Sequence, residues 1–157
     1  MPKPEPNAHA LNAKESRPIL EFLKDHFGFT GSFEFAFIIA SKERLFAATK
    51  EIFSLPVEQL KVSSYGVYFG EWREGTLRLS IEGSQIVGPH CSKNIVEITE
   101  DQRADWMSGE DIDRTEDMDA KGIVLIKCGK DFLGCSKTGE TKLSNYVPKN
   151  RRVVISS

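Results

Sequence analysis

Two runs of alternating apolar residues, Tyr65, Val67, Phe69 and then Leu77, Leu79, Ile81, flank a charged turn at Arg73, Glu74 and Gly75. A period of two puts every second side chain on one face of a strand, and a glycine-bearing turn reverses the chain, so the spacing predicts a β-hairpin. Upstream, Phe33, Phe35, Phe37 and Ile39 alternate with Glu34, Ala36 and Ile38, which predicts a strand with one strongly buried face, and Arg44 to Ala48 reads as a second. Ahead of these, Ile19, Leu20, Leu23 and Phe27 recur at helical spacing. Ser16 is the expected cap of that helix, Pro18 suits its first turn, and Gly28 ends it. Short helical turns are expected at Thr49 to Phe53 and around Pro56, Val57 and Leu60. Residues 1–15, with three prolines in the first six positions, read as a disordered tail.

Gly88 and Pro89 break the pattern, and a domain boundary is expected near Ser92. Beyond it, Asn94 to Ile98 predicts a strand running into Thr99, which with Gln102 forms the capping box of a helix ending at Gly109. That helix is expected to bury Ala104 and either Trp106 or Met107. Gly122 to Cys128 is a continuous apolar run of strand length, Gly129, Lys130 and Asp131 make a turn, and Phe132 to Cys135 is its partner. Lys142 to Val147 and Arg152 to Ile155 would complete a small mixed barrel. With 157 residues, 39% hydrophobic and 28% charged, the chain fits one globular domain or two small ones. No apolar run reaches the roughly 20 residues that cross a bilayer, and the N-terminus lacks the apolar core of a signal peptide, so a cytoplasmic protein is expected.

The net charge of −2 conceals a strong separation. Between Glu97 and Asp119 ten acidic residues face Arg103 and Arg114. In the last part of the chain Lys121, Lys127, Lys130, Lys137, Lys142, Lys149, Arg151 and Arg152 face only Asp131 and Glu140. Concentrated positive charge suits a polyanion, and Asn145 and Tyr146 add an amide for hydrogen bonding and a ring for stacking a base. Nothing comparable supports catalysis. His90 and Cys91 are adjacent, and on an extended chain they point to opposite faces. Asp111, Asp113, Asp117 and Asp119 lack the glycine at position six and the glutamate at position twelve of a calcium loop. No glycine-rich phosphate loop occurs. Cys91, Cys128 and Cys135 are odd in number with no CxxC spacing, which fits reduced structural thiols. No enzyme, cofactor or metal is therefore expected.

From Val62 onward the run YGVYFGEWREGTLRLSIEG, then GPHCSKNIVEITEDQRADWMSGEDI and GIVLIKCGKDFLGCSKTG, resembles the Nip-seven-like ribosome biogenesis proteins and related PUA domains. The ending NYVPKNRR is similar to archaeal members, some of which occur beside methyltransferases that make 5-methylcytosine in RNA. The resemblance implies an α+β fold: an α/β pre-PUA module with an antiparallel sheet at 16–91, and a PUA β-pseudobarrel at 92–157. It implies a non-enzymatic protein that binds rRNA or tRNA precursors and works with ribosome assembly factors or an RNA methyltransferase, away from membranes. Lys137, Lys142, Lys149, Arg151 and Arg152 match the region that carries RNA contact in relatives, and Asn145 and Tyr146 lie among them. PUA domains commonly place a second glycine after the helix where nucleic acid approaches the backbone. Here Gly109 and Ile112 fit, but Thr115, Glu116 and Asp117 stand instead of the second glycine, and the acidic loop would repel phosphate. The alternative expectation is a docking module for an RNA-modifying enzyme or preribosomal factor, with Tyr68 and Trp72 as exposed aromatic contacts.

Overall fold

The computed structural model describes residues 8–50, 66–116 and 118–153. Its N-terminal half is an antiparallel five-stranded sheet whose strands lie in chain order: β1 (His9–Ala10), β2 (Ala36–Ile39), β3 (Arg44–Ala48), β4 (Val67–Arg73) and β5 (Thr76–Leu79). The tail expected to reach Glu15 is folded from Ala8 onward: Ala8 and Leu11 are buried, and the Leu11 N–H donates to Phe37 O at 2.8 Å. Helix α1 (Ala13–Phe27) starts before the expected cap, because Asn12 and not Ser16 fills that role. Asn12 Oδ1 accepts from the Glu15 N–H at 2.8 Å, and Glu15 Oε1 accepts from the Asn12 N–H at 3.0 Å, a reciprocal capping box. Pro18 consequently lies inside the helix, where it removes one i to i−4 bond. Ile19, Leu23 and Phe27 form the buried stripe.

Strand β2 is shorter than the alternation from Phe33 predicts, and both of its faces are covered. Phe37 enters the main core, while Ala36 and Ile38 pack with Ala8, Ala40 and Phe46 on the other side. The hairpin β4–β5 closes through the two-residue turn Glu74–Gly75, with φ of 52° and 75°. Ile81, expected on the returning strand, instead begins helix α2 (Ile81–Val87), since Ser80 Oγ accepts the Gly83 N–H at 2.9 Å and starts a helix there. Tyr65 and most of the helical turns expected after Thr49 lie outside the described residues.

In the C-terminal half β6 (Ile95–Glu97) runs parallel to β8 (Ile123–Cys128), which pairs antiparallel with β9 (Asp131–Lys137). A separate pair joins β7 (Ile112–Asp113) to β10 (Lys142–Leu143). The two sheets meet through a bridge at Thr138 and Leu143, and the described residues show no closed barrel. The strand expected from Lys142 to Val147 stops at Leu143 because Asn145 Oδ1 accepts the Val147 N–H at 2.8 Å and bends the chain out of the ladder. Arg152 and Val153 are not in a strand, and Ile155 lies outside the described residues. Helix α3 (Glu100–Ser108) has the expected Thr99 and Gln102 capping box and ends at Gly109. It buries Trp106, whereas Ala104 is exposed.

One apolar core crosses both halves. Ile19, Leu23, Phe27, Phe37, Phe69, Leu77 and Val87 share it with Leu125 of β8 and with Phe132 and Cys135 of β9. Helix α2 forms the junction: Ser84 Oγ accepts the Gly134 N–H at 2.9 Å, and Gly88 lies against the Phe132 ring. A Cβ at Gly88 would fall 2.4 Å from Phe132 Cγ, so Gly88→Ala should force the ring aside and cost about 1–3 kcal/mol, the usual range for overpacking. Urea unfolding measures this, and a change below a few tenths would show that the junction yields easily.

Candidate nucleic-acid interface

Residues after β10 cross the molecule toward the C-terminal end of α3, and the hydrogen bonds they make decide which basic side chains are available. The Asn145 side-chain amide donates to Trp106 O at 2.7 Å and Glu110 O at 2.8 Å, while its backbone N–H donates to the Asp111 carboxylate at 2.8 Å. Asn145 is thus a scaffold residue that satisfies carbonyls at the end of α3. Arg152 Nε donates to Val147 O at 3.1 Å, and the side chain lies over Gly109. Gly109 has a φ of 103°, and a Cβ there would sit 2.6 Å from Arg152 Nε, so glycine serves both the turn and the arginine. The Val153 N–H then donates to Met107 O at 2.8 Å. A guanidinium at a helix C-terminus is also favoured by the helix dipole.

Arg151 pairs with Glu82 of α2, and Lys142 pairs with Asp113 across β10 and β7 at 3.3 Å. Lys137 and Lys149 are exposed and have no side-chain partner among the described residues. The expected basic surface is therefore divided: Asn145 and Arg152 hold the fold, Arg151 and Lys142 face carboxylates, and Lys137 and Lys149 are exposed without such a partner among the described residues. The acidic loop is fixed as well. Asp111 and Asp113 hold Asn145 and Lys142, and the Arg114 guanidinium donates to Gly139 O, Met118 O and Ala120 O. Asp117 lies outside the described residues.

Tyr146 leads to a feature that the charge pattern does not reveal. Its ring is half-buried, and the Arg78 guanidinium lies over it at 4.2 Å. Both line a cleft of about 550 Å³ with Phe22 and His26 of α1, Glu71 and Arg73 of β4, Glu74 and Thr76, Gly122 and Ile123, and Lys137 at the end of β9. Arg78 is held by Glu71 at 2.7 Å and Arg73 by Glu43 at 3.3 Å. His26 Nε2 lies 2.6 Å from Ile123 O, and its ring stacks on Phe22 at 4.9 Å. Lys137 and Tyr146 are the two expected site residues that the fold brings together here. Arg78 was legible in principle: Leu77 and Leu79 point inward, so Arg78 points out, opposite Glu71 in the hairpin register.

Tyr68 and Trp72, expected as exposed docking aromatics, are half-buried. Tyr68 packs on Phe46, and Trp72 packs edge-on against Phe22 at 6.1 Å. Burial, and then the nearby Glu71 charge, raise the Tyr68 hydroxyl pKa. Burial also pushes the Cys91 thiol up to about 11 and the Cys135 thiol up to about 12. Both thiols stay protonated at neutral pH, which argues against a thiolate at Cys91 beside His90. Because their folded pKa values exceed the ordinary 9.0, the unfolded chain loses these protons first as pH rises. Stability from these groups is intact below about pH 9 and should decline from there toward pH 12. Urea midpoints across that range, compared with Cys91→Ala, measure the Cys91 share; identical slopes would remove it.

Residues 93–153, less than half of the chain, match the family described as the Methyltransferase RsmF PUA domain. Among curated proteins none matches the chain.

Proposed function

We propose that the chain is an RNA-binding accessory factor in rRNA or tRNA maturation, contacting single-stranded or structured RNA through its PUA-type half. The observation that carries this reading is the convergence of Lys137 and Tyr146, both within the PUA match, on a cleft that also presents Arg78. The cation neutralises phosphate, while the ring and the guanidinium offer flat surfaces to a base. No catalytic step is assigned to it.

Anisotropy of a short A- and U-rich single-stranded RNA, titrated at several salt concentrations, tests the proposal. If Lys137 and Lys149 are the two open phosphate contacts, log affinity should fall against log salt with a slope of about −1.4, at roughly −0.7 per contact. Replacing both by alanine should flatten that slope and weaken binding to all sequences alike. Absence of binding at low salt would end the reading. Arg151 and Arg152 are poorer probes, because their loss also removes the Glu82 pair and the contact over Gly109.

A second reading is favoured by the internal pairing of Arg151 and Lys142 and by the methyltransferase context of the matched family. In it the chain docks on an RNA-modifying enzyme, such as a 5-methylcytosine RNA methyltransferase, or on a preribosomal factor, and its own RNA contact is weak. Co-purification with such an enzyme that survives nuclease treatment supports this reading, and loss on nuclease treatment opposes it.

A further inference from the structure

We propose that the cleft between α1, the β4–β5 hairpin and the adjoining ends of β8 and β9 receives one unpaired nucleobase of a bound single strand. The N-terminal half then forms part of the RNA site; this rests on the RNA-binding reading above.

Planar groups are the first reason. The Phe22–His26 pair, 20° from parallel, and the Arg78–Tyr146 pair both line this cleft. Unstacked bases are held by aromatic rings and by guanidinium planes. Charge is the second. Arg73, Arg78 and Lys137 face Glu71 and Glu74, with Arg78 committed to Glu71 and Arg73 to Glu43. A cleft so nearly neutral is a poor cradle for phosphate, but donors and acceptors side by side suit the edge of a base. Lys137 supplies an open cation for the phosphate next to that base. Size and stiffness are the third. About 550 Å³ lies within the roughly 300–1,000 Å³ of small-ligand sites. The His26 bond to Ile123 O and the Arg78 bond to Glu71 fix its walls in advance.

The test titrates the full chain with a short single-stranded RNA carrying 2-aminopurine at its centre. Anisotropy reports binding, and 2-aminopurine fluorescence reports stacking. The unaltered protein should quench the fluorophore on binding. Phe22→Leu keeps apolar bulk but removes the flat ring, and should weaken binding about tenfold, the worth of one base–aromatic stack, with loss of the quench. Thr76→Leu, at an exposed position on the cleft wall, should do the same by filling space, and it decides the matter should Phe22→Leu fail to fold. If the protein binds the RNA but neither variant changes affinity or quench, the cleft proposal is overturned and RNA binding lies elsewhere on the chain. If the unaltered protein does not bind at low salt, the RNA-binding reading fails and the cleft proposal with it.

Discussion

Trp106→Ala is expected to lower the unfolding free energy by about 3–5 kcal/mol, the range for truncating a large buried aromatic residue. The indole is fully buried and its Nε1–H donates to Leu133 O at 2.9 Å, so truncation leaves both a cavity and an unpartnered carbonyl. It is the buried side chain of α3, whose remaining surface includes the exposed Ala104. Without it the helix loses its anchor among Val96, Ile98, Ile112, Leu143 and Val147. Damage should also spread to the crossing segment, since Asn145 bonds to Trp106 O and Val153 to Met107 O. Against a typical total of about 5–15 kcal/mol, such a loss leaves a marginal protein. Urea unfolding should show a much lower midpoint with little change in slope. Trp106→Phe, which keeps most of the bulk, isolates the hydrogen bond and should cost less. A loss below about 1 kcal/mol for the alanine variant would mean that α3 is held by something other than its indole.

What the sequence made legible was local. Thr99 and Gln102 announce α3 and Gly109 ends it, because a capping box spans three residues and depends on nothing remote. The hairpin was readable from the charged turn at Arg73, Glu74 and Gly75 and from Phe69, Leu77 and Leu79, which are buried, although Val67 is exposed and the turn itself is Glu74–Gly75. Asn12 and Glu15 carry the same capping signature at the start of α1, but it directly follows a proline-rich stretch with the composition of a tail, so the two local signals conflict there. Helix α2 was obscured because Ile81 continues the alternation of β5, and seven residues carry too little periodicity to outweigh it. The candidate site was legible only as composition. Whether a basic residue is open or occupied depends on partners far away in sequence: Glu82 for Arg151, Asp113 for Lys142, Gly109 for Arg152. The cleft is harder still, because Phe22, Arg78 and Lys137 meet only once three elements have packed.

Residues 92–157 alone are expected not to fold, although a recognisable domain family begins at position 93. The reason is the shared core. Leu125, Phe132 and Cys135 are buried with residues of α1 and the five-stranded sheet, and excision would turn them toward water. Exposing a large apolar side chain costs about 1.5–3 kcal/mol, so Leu125 and Phe132 together forfeit several kcal/mol. A single core in a fragment below roughly 70–80 residues rarely supplies more than about 3–5 kcal/mol, which leaves no surplus. Polar ties are cut as well: Ser84 to Gly134, His26 to Ile123, Asn94 to His26, and the Ser92 and Lys93 N–H groups to Phe27 O. The full chain should therefore unfold in one cooperative step, and the fragment should lack near-ultraviolet circular dichroism and dispersed amide resonances. A fragment that melts cooperatively with native-like dispersion would show that the second half is independent. In that case Phe132 and Leu125 must find cover within it, and the cleft walls contributed by α1 and the hairpin become the movable part of the site.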